Sequence, residues 1–176
     1  EGIHHLKYIH SDIKPRNIML SVKNDERKMY LIDFGLCRKY QVPQFGGKKI
    51  PKYLDYKRGI HGTPVFCSKN VHKYNGEVFK RGPVDDMIGL GYTFAYILHK
   101  TLPWNKKEPL KLSQLKHEST IDEICPINIK KSRKHKYINQ HKYINQFASK
   151  VNHFLKEVYK LKHDSVIDYK KLGEIF

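Results

Sequence analysis

The chain has 176 residues, enough for one domain with its own core. Its 34 Lys and Arg against 17 Asp and Glu leave a formal charge of +17. That charge points to acidic or phosphorylated proteins, nucleic acid or an anionic surface as partners, or to a lysine-rich solvated surface. Three widely spaced cysteines, Cys37, Cys67 and Cys125, with no C-x-x-C pair, exclude a disulfide scaffold and suit a reducing intracellular setting, nucleus or cytoplasm. No apolar run reaches the roughly eighteen residues that a membrane span needs.

In chain order, Glu1 to Lys7 reads as the end of a helix. His4 and His5 are adjacent and do not share a helix face, so they are poor candidates for a metal pair. The stretch Ile9 to Asn17, I-H-S-D-I-K-P-R-N, is the most informative in the chain. An apolar run, Ile18-Met19-Leu20, follows it, and a second, Met29 to Ile32, ends in Asp33-Phe34-Gly35. Two short strands, Ile18–Ser21 and Met29–Ile32, with a charged turn over Lys23 to Lys28, make a hairpin that places Asn17 and Asp33 at one end. Phosphoryl transfer to a hydroxyl needs these groups in this order. Asp12 can orient the acceptor hydroxyl and take its proton, and Lys14 can stabilise charge on the transferred group. Asn17 and Asp33 can hold Mg²⁺ against nucleotide phosphates, because hard oxygen ligands from two loops suit an ion that keeps waters and phosphate oxygens in its shell.

Leu36 to Gly62 is long, polar and punctuated by Gly and Pro. Arg38, Lys39, Lys48, Lys49, Lys52, Lys57 and Arg58 stand there against a single acid, Asp55. It reads either as a basic rim that selects acidic substrates or as a solvated loop. Val84 to His99 carries apolar residues almost all round, which predicts a helix in the centre of the core. Asp85 or Asp86 can accept from orphan N–H groups at its start, with Pro83 in the first turn. Gly89 and Gly91 predict close helix packing rather than a phosphate loop, and Trp104 is expected to be buried. Leu110, Leu112 and Leu115 suggest a short amphipathic helix. Lys130 to Lys136 is a dense basic run, open to reading as a nuclear-localisation or nucleic-acid patch or as solvated surface. The hexapeptide H-K-Y-I-N-Q occurs twice, at 135–140 and 141–146, too few copies for a solenoid. Phe147 to Lys160 has helical spacing, and Asp168 can cap a last helix that ends near Phe176.

Together, I-H-S-D-I-K-P-R-N and the strand that ends in D-F-G resemble the catalytic and metal-binding loops of a eukaryotic-type protein kinase. More narrowly, the chain resembles the casein kinase 1 group and its vaccinia-related branch. D-F-G-L-C-R-K-Y (33–40), G-T-P-V-F-C-S-K-N-V-H (62–72) and D-D-M-I-G-L-G-Y (85–92) with L-P-W (102–104) carry that resemblance. Ser68, Asn70 and His72 match the group's Ser-x-Asn/Asp-x-His pattern, which stands in place of A-P-E. The resemblance implies a mainly α fold with a small β-hairpin: the C-terminal lobe of a kinase over residues 1–176, with the activation segment at about 33–68. The lobe that covers the nucleotide is expected upstream of Glu1, in the same chain.

The resemblance also implies a serine/threonine kinase that uses ATP and Mg²⁺ on protein substrates, with a catalytically inactive binding module of the same fold as the alternative. It makes His10 a residue packed under the loop, and it makes Thr63 the threonine that holds Asp12 and Lys14. Asp86 becomes the aspartate that reaches the catalytic-loop backbone. Pro64 to Ser68 become the wall beside the acceptor. Ser11 stands where most kinases carry an Arg that pairs with an activation-loop phosphate, so that switch is not expected here. A nucleic-acid-binding domain has the charge on its side but no recognition motif.

Overall fold

The computed structural model of the chain describes residues 1–23, 26–40, 44–45, 48–49, 62–72, 81–127, 138–162 and 165–176. Among them the fold is mainly α with a small β-hairpin, as expected. A four-residue helix, α1 (Gly2–His5), leads into strand β1 (Tyr8–Ile9). The stretch from His10 to Asn17 follows and closes with a 3₁₀ turn over Pro15–Asn17, where Pro15 takes the first position at no hydrogen-bond cost.

The hairpin strands β2 (Ile18–Lys23) and β3 (Glu26–Leu31) pair antiparallel from Ile18↔Leu31 to Lys23↔Glu26. They run further than the apolar residues predict, because the charged residues of the expected turn continue the ladder with their side chains in solvent. Ile32 N–H donates to the Asn17 carbonyl at 2.9 Å, so the chain leaves β3 beside the residue from which it entered β2. A short strand, β4 (Arg38–Lys39), pairs back onto β1, and a further two-residue pair follows, β5 (Gln44–Phe45) with β6 (Lys48–Lys49).

The core lies in the helices. α2 (Pro83–His99) buries Val84, Ile88, Tyr92 and Ala95 against Val151, Phe154, Leu155 and Val158 of α5 (Ile138–Lys160). Gly91 permits this approach: a Cβ there would stand 2.4 Å from Leu155 Cδ2. Gly89 does the same against the Phe66 carbonyl, at 3.1 Å. Trp104 is fully buried and stacks edge-on to Tyr92 with ring centroids 4.8 Å apart.

α3 (Pro109–Glu118) is the suggested amphipathic helix, but its buried stripe is Leu112, Ser113 and Lys116, while Leu110 is 87% exposed. A one-turn helix, α4 (Ile121–Ile124), follows, with Thr120 and Glu123 forming a reciprocal capping box. α5 starts inside the first H-K-Y-I-N-Q copy, so the second copy is helical. The basic run Lys130 to Lys136 lies outside the described residues. In the last helix, α6 (Tyr169–Gly173), Asp168 caps as expected, accepting from Lys171 N–H at 3.0 Å. No described helix is long and apolar enough to cross a membrane.

Candidate active site

Two aspartates at the start of α2 divide the capping work that the sequence left open between them. Asp85 Oδ2 accepts from Gly82 N–H at 2.6 Å and serves the helix itself. Asp86 turns away from the helix, and its carboxylate accepts from the backbone N–H of His10 at 2.6 Å and of Ser11 at 2.9 Å. Ser11 has φ 73°, a left-handed conformation that aims two successive N–H groups at one anion. His4 completes the anchor: Nε2–H donates to Asp86 at 2.9 Å, and Nδ1 lies 2.6 Å from the Tyr169 hydroxyl. Buried His10 bridges the two loops. Its Nδ1 accepts from Asp12 N–H at 3.3 Å, its Nε2 donates to the Ile32 carbonyl at 3.0 Å, and Phe34 packs edge-on to its ring at 5.1 Å.

On this base stands the cluster of Asp12, Lys14, Asn17 and Thr63. Lys14 Nζ donates to Asp12 Oδ2 at 2.6 Å and to Thr63 Oγ1 at 2.9 Å. Thr63 N–H donates to Asp12 Oδ1 at 2.8 Å. Asn17 Nδ2 donates to the Asp12 carbonyl at 2.9 Å and reaches its Oδ2 at 3.3 Å. Gly62 makes the approach possible, since its φ is 101° and a Cβ would strike the Ser11 carbonyl at 2.4 Å. Burial pushes the Asp12 carboxyl up, but the hydrogen bonds from Lys14 and Thr63 outweigh it and hold it below its ordinary value. Asp12 is therefore a carboxylate at neutral pH.

Asp33 sits at the open end of the hairpin with Asn17. Asn17 precedes the paired Ile18↔Leu31, and Asp33 lies two residues beyond it. Asp33 is exposed and adopts φ 63°, ψ 72°, and its Oδ1 accepts from Gly35 N–H at 3.3 Å. Asn17 spends its amide N–H₂ on Asp12, which leaves its carbonyl oxygen for a cation. One carboxylate and one amide oxygen fit Mg²⁺, which needs few protein ligands when phosphates and waters supply the rest. Among the described residues no cluster of three or more His, Cys, Asp or Glu forms a metal cage.

The turn after Gly62 has its carbonyls met from below. Phe66 N–H and Cys67 N–H donate to the Thr63 carbonyl at 2.9 and 3.1 Å, and Trp104 Nε1–H donates to Val65 at 2.8 Å. Lys116 Nζ donates to the Pro64 carbonyl at 2.5 Å and to that of Cys67. Ser68 Oγ accepts from Asn70 N–H at 3.0 Å, Asn70 Nδ2 donates to Asp85 at 3.2 Å, and His72 is buried 3.2 Å from Lys116 Nζ. Burial drives the Lys116 amine down to about 7; His72 is pushed to about 3 by burial and then by the neighbouring Lys116 charge.

Residues 1–171 match the family model of the protein kinase domain. The match spans nearly the whole chain, and the chain belongs to that family.

The structure brings Asp12, Lys14, Asn17 and Thr63 into one hydrogen-bonded group and sets Asp33 across the hairpin end from Asn17. Lys52, Lys57 and Arg58 of the basic segment lie outside the described residues, and of Lys48 and Lys49 only the strand backbone is described. Arg38 and Lys39 are exposed on β4. Sequence reasoning missed His4 and Lys116. Nothing local distinguishes them from surface residues. Their partners lie far along the chain, Asp86 for His4 and Pro64 and Cys67 for Lys116.

Proposed function

We propose that the chain is the acceptor-side lobe of an active serine/threonine kinase of the casein kinase 1 group, nearest its vaccinia-related branch. It would transfer the γ-phosphate of ATP to Ser or Thr of acidic proteins. The observation that carries this reading is the Asp12 carboxylate, held at both oxygens by Lys14 and Thr63. A carboxylate below its ordinary pKa is a weak base. Its work is therefore to orient the acceptor hydroxyl and receive the proton late, as the oxygen–phosphorus bond forms. Lys14 Nζ lies between Asp12 and Thr63 and can also meet charge on the transferred group.

The Asn17 carbonyl oxygen and the Asp33 carboxylate would hold Mg²⁺, and the ion, when bound, neutralises charge on the nucleotide phosphates. Exposed Arg38 and Lys39 support the acidic preference, and the basic residues from Lys48 to Arg58 would extend it. Apolar residues face solvent along the hairpin, Leu20 at 61% and Met29 at 72% exposure. In this reading they are the surface that a nucleotide-covering lobe packs against.

The test uses the full-length protein with acidic and neutral peptides that carry Ser, Thr or Tyr. Phosphate is expected on Ser and Thr, faster on acidic peptides, with a preference that shrinks as salt rises. Labelling confined to Tyr, or equal turnover of the peptides at every salt, would contradict the specificity. No transfer by folded protein would leave the inactive binding module as the better reading.

A further inference from the structure

Lys116 is 0% exposed, rare for a lysine, and among the described residues no carboxylate is a hydrogen-bond partner of its amine. A buried ammonium costs free energy unless its donors are met, and here two backbone carbonyls and an imidazole meet them. Its Nζ lies over two aromatic rings, 5.3 Å from the Tyr92 centroid and 5.2 Å from that of Trp104. Its two carbonyl partners, Pro64 and Cys67, lie at opposite ends of one turn. Next to Pro64 is Thr63, which fixes Asp12 and Lys14. Next to Cys67 is Ser68, which starts the 3₁₀ turn Lys69–Val71 and leads through Asn70 to α2.

We propose that Lys116 is a positioning residue for the acceptor: a buried strut from α3 that sets the turn Thr63–Cys67 and so the wall against which the acceptor segment lies. This rests on the kinase reading above. The strut does not touch the reacting atoms. It acts through the backbone it holds, and in either protonation state Nζ keeps at least two N–H donors for the two carbonyls. α3 would then serve acceptor binding and leave nucleotide binding alone, since Lys116 bonds the turn and, among the described residues, makes no hydrogen bond to the hairpin end where Asn17 and Asp33 stand.

The test is Lys116→Met in the full-length protein, with peptide and ATP varied separately and amide hydrogen exchange followed across the turn. The peptide KM is expected to rise about tenfold, the scale of a lost hydrogen bond from a charged donor. The KM for ATP should stay within about twofold and kcat within about threefold. Exchange should quicken in residues 63–72 and not in α5. A loss of kcat with an unchanged peptide KM, or unchanged exchange in the turn, would overturn the strut. Should Lys116→Met fail to fold, Lys116→Gln, too short to span both carbonyls, is expected to raise the peptide KM about threefold, and an unchanged KM would overturn the proposal. If the wild-type protein folds but transfers no phosphate, the kinase reading falls, and the exchange comparison alone decides the strut: faster exchange in the turn supports it and unchanged exchange overturns it.

Discussion

The two halves of the site are built differently. The half proposed to hold the acceptor, from His10 to Lys14 with Thr63, is largely shielded from solvent and densely hydrogen-bonded, and its main supports come from the helical core. Asp86 and Thr93 hold it from α2, and Lys116 holds the neighbouring turn from α3. The half proposed to hold the metal, the hairpin end with Asp33, is exposed, its carboxylate accepts a long bond from Gly35 N–H, and it turns apolar side chains to solvent. The difference teaches which part of the chemistry this chain prepares by itself. On the proposed function, the fold preorganises the groups that would position the acceptor, whereas the phosphates would meet an open, wet surface, where each charge contact is worth far less than in a closed site.

The sharpest way to break the contrast is Asp86→Ala. Removing the carboxylate strands the buried N–H groups of His10 and Ser11 at roughly 1–3 kcal/mol each, and releases His4 as well. The melting temperature should fall by several degrees, and transfer by the full-length protein should fall with it. An unchanged melting temperature in purified Asp86→Ala would deny the anchor its role.

A smaller effect is expected from titration of Lys116. Its amine lies at about 7 in the folded chain and near 10.5 when unfolded, so across that window the unfolded state binds the extra proton. Stability contributed by this site therefore rises with pH from about 7 to 10.5. His72, Cys67, Arg81 and Tyr92 face the same group, so the comparison must be a difference. The slope of melting temperature against pH in wild type minus that in Lys116→Met should be positive between neutral and alkaline pH. Parallel slopes would mean that Lys116 keeps its ordinary pKa.

The smallest effect belongs to the hairpin. Leu20→Ser and Met29→Ser alter exposed side chains, and in residues 1–176 alone each should move stability by no more than about 0.5 kcal/mol. In a longer protein with a covering lobe, the same changes should cost more. Denaturant midpoints of both forms check this, and equal shifts in the two would remove the reason to place a partner surface on the hairpin.

The grouping of Asp12, Lys14 and Asn17 was largely legible in the sequence because it is local. Asp12, Lys14 and Asn17 lie within six residues, and a short hairpin brings Asp33 back to them. α2 was legible because residues apolar on all faces have few places to go but the core. The anchors were harder to read. His4 read only as half of an adjacent histidine pair unsuited to a metal, and its value comes from Asp86 and Tyr169, which only the folded chain brings near. Lys116 sits on a helix otherwise rich in charge, where a lysine reads as solvated. The box of Thr120 and Glu123 was a readable signal for α4. The strands outran their apolar runs because edge residues of an exposed hairpin need no apolar side chain to keep the ladder.

The most direct test of the central claim, a preorganised acceptor half beside an open nucleotide half, is transfer of a radiolabelled γ-phosphate to an acidic Ser/Thr peptide. Three proteins are compared: residues 1–176, a longer form in which a covering lobe is present, and that longer form with Asp12→Asn. Negligible transfer is expected from residues 1–176 and robust transfer from the longer form. Asp12→Asn should lose about 10²-fold or more with nucleotide binding retained. Robust transfer by residues 1–176 alone, or full activity in Asp12→Asn, would contradict that claim.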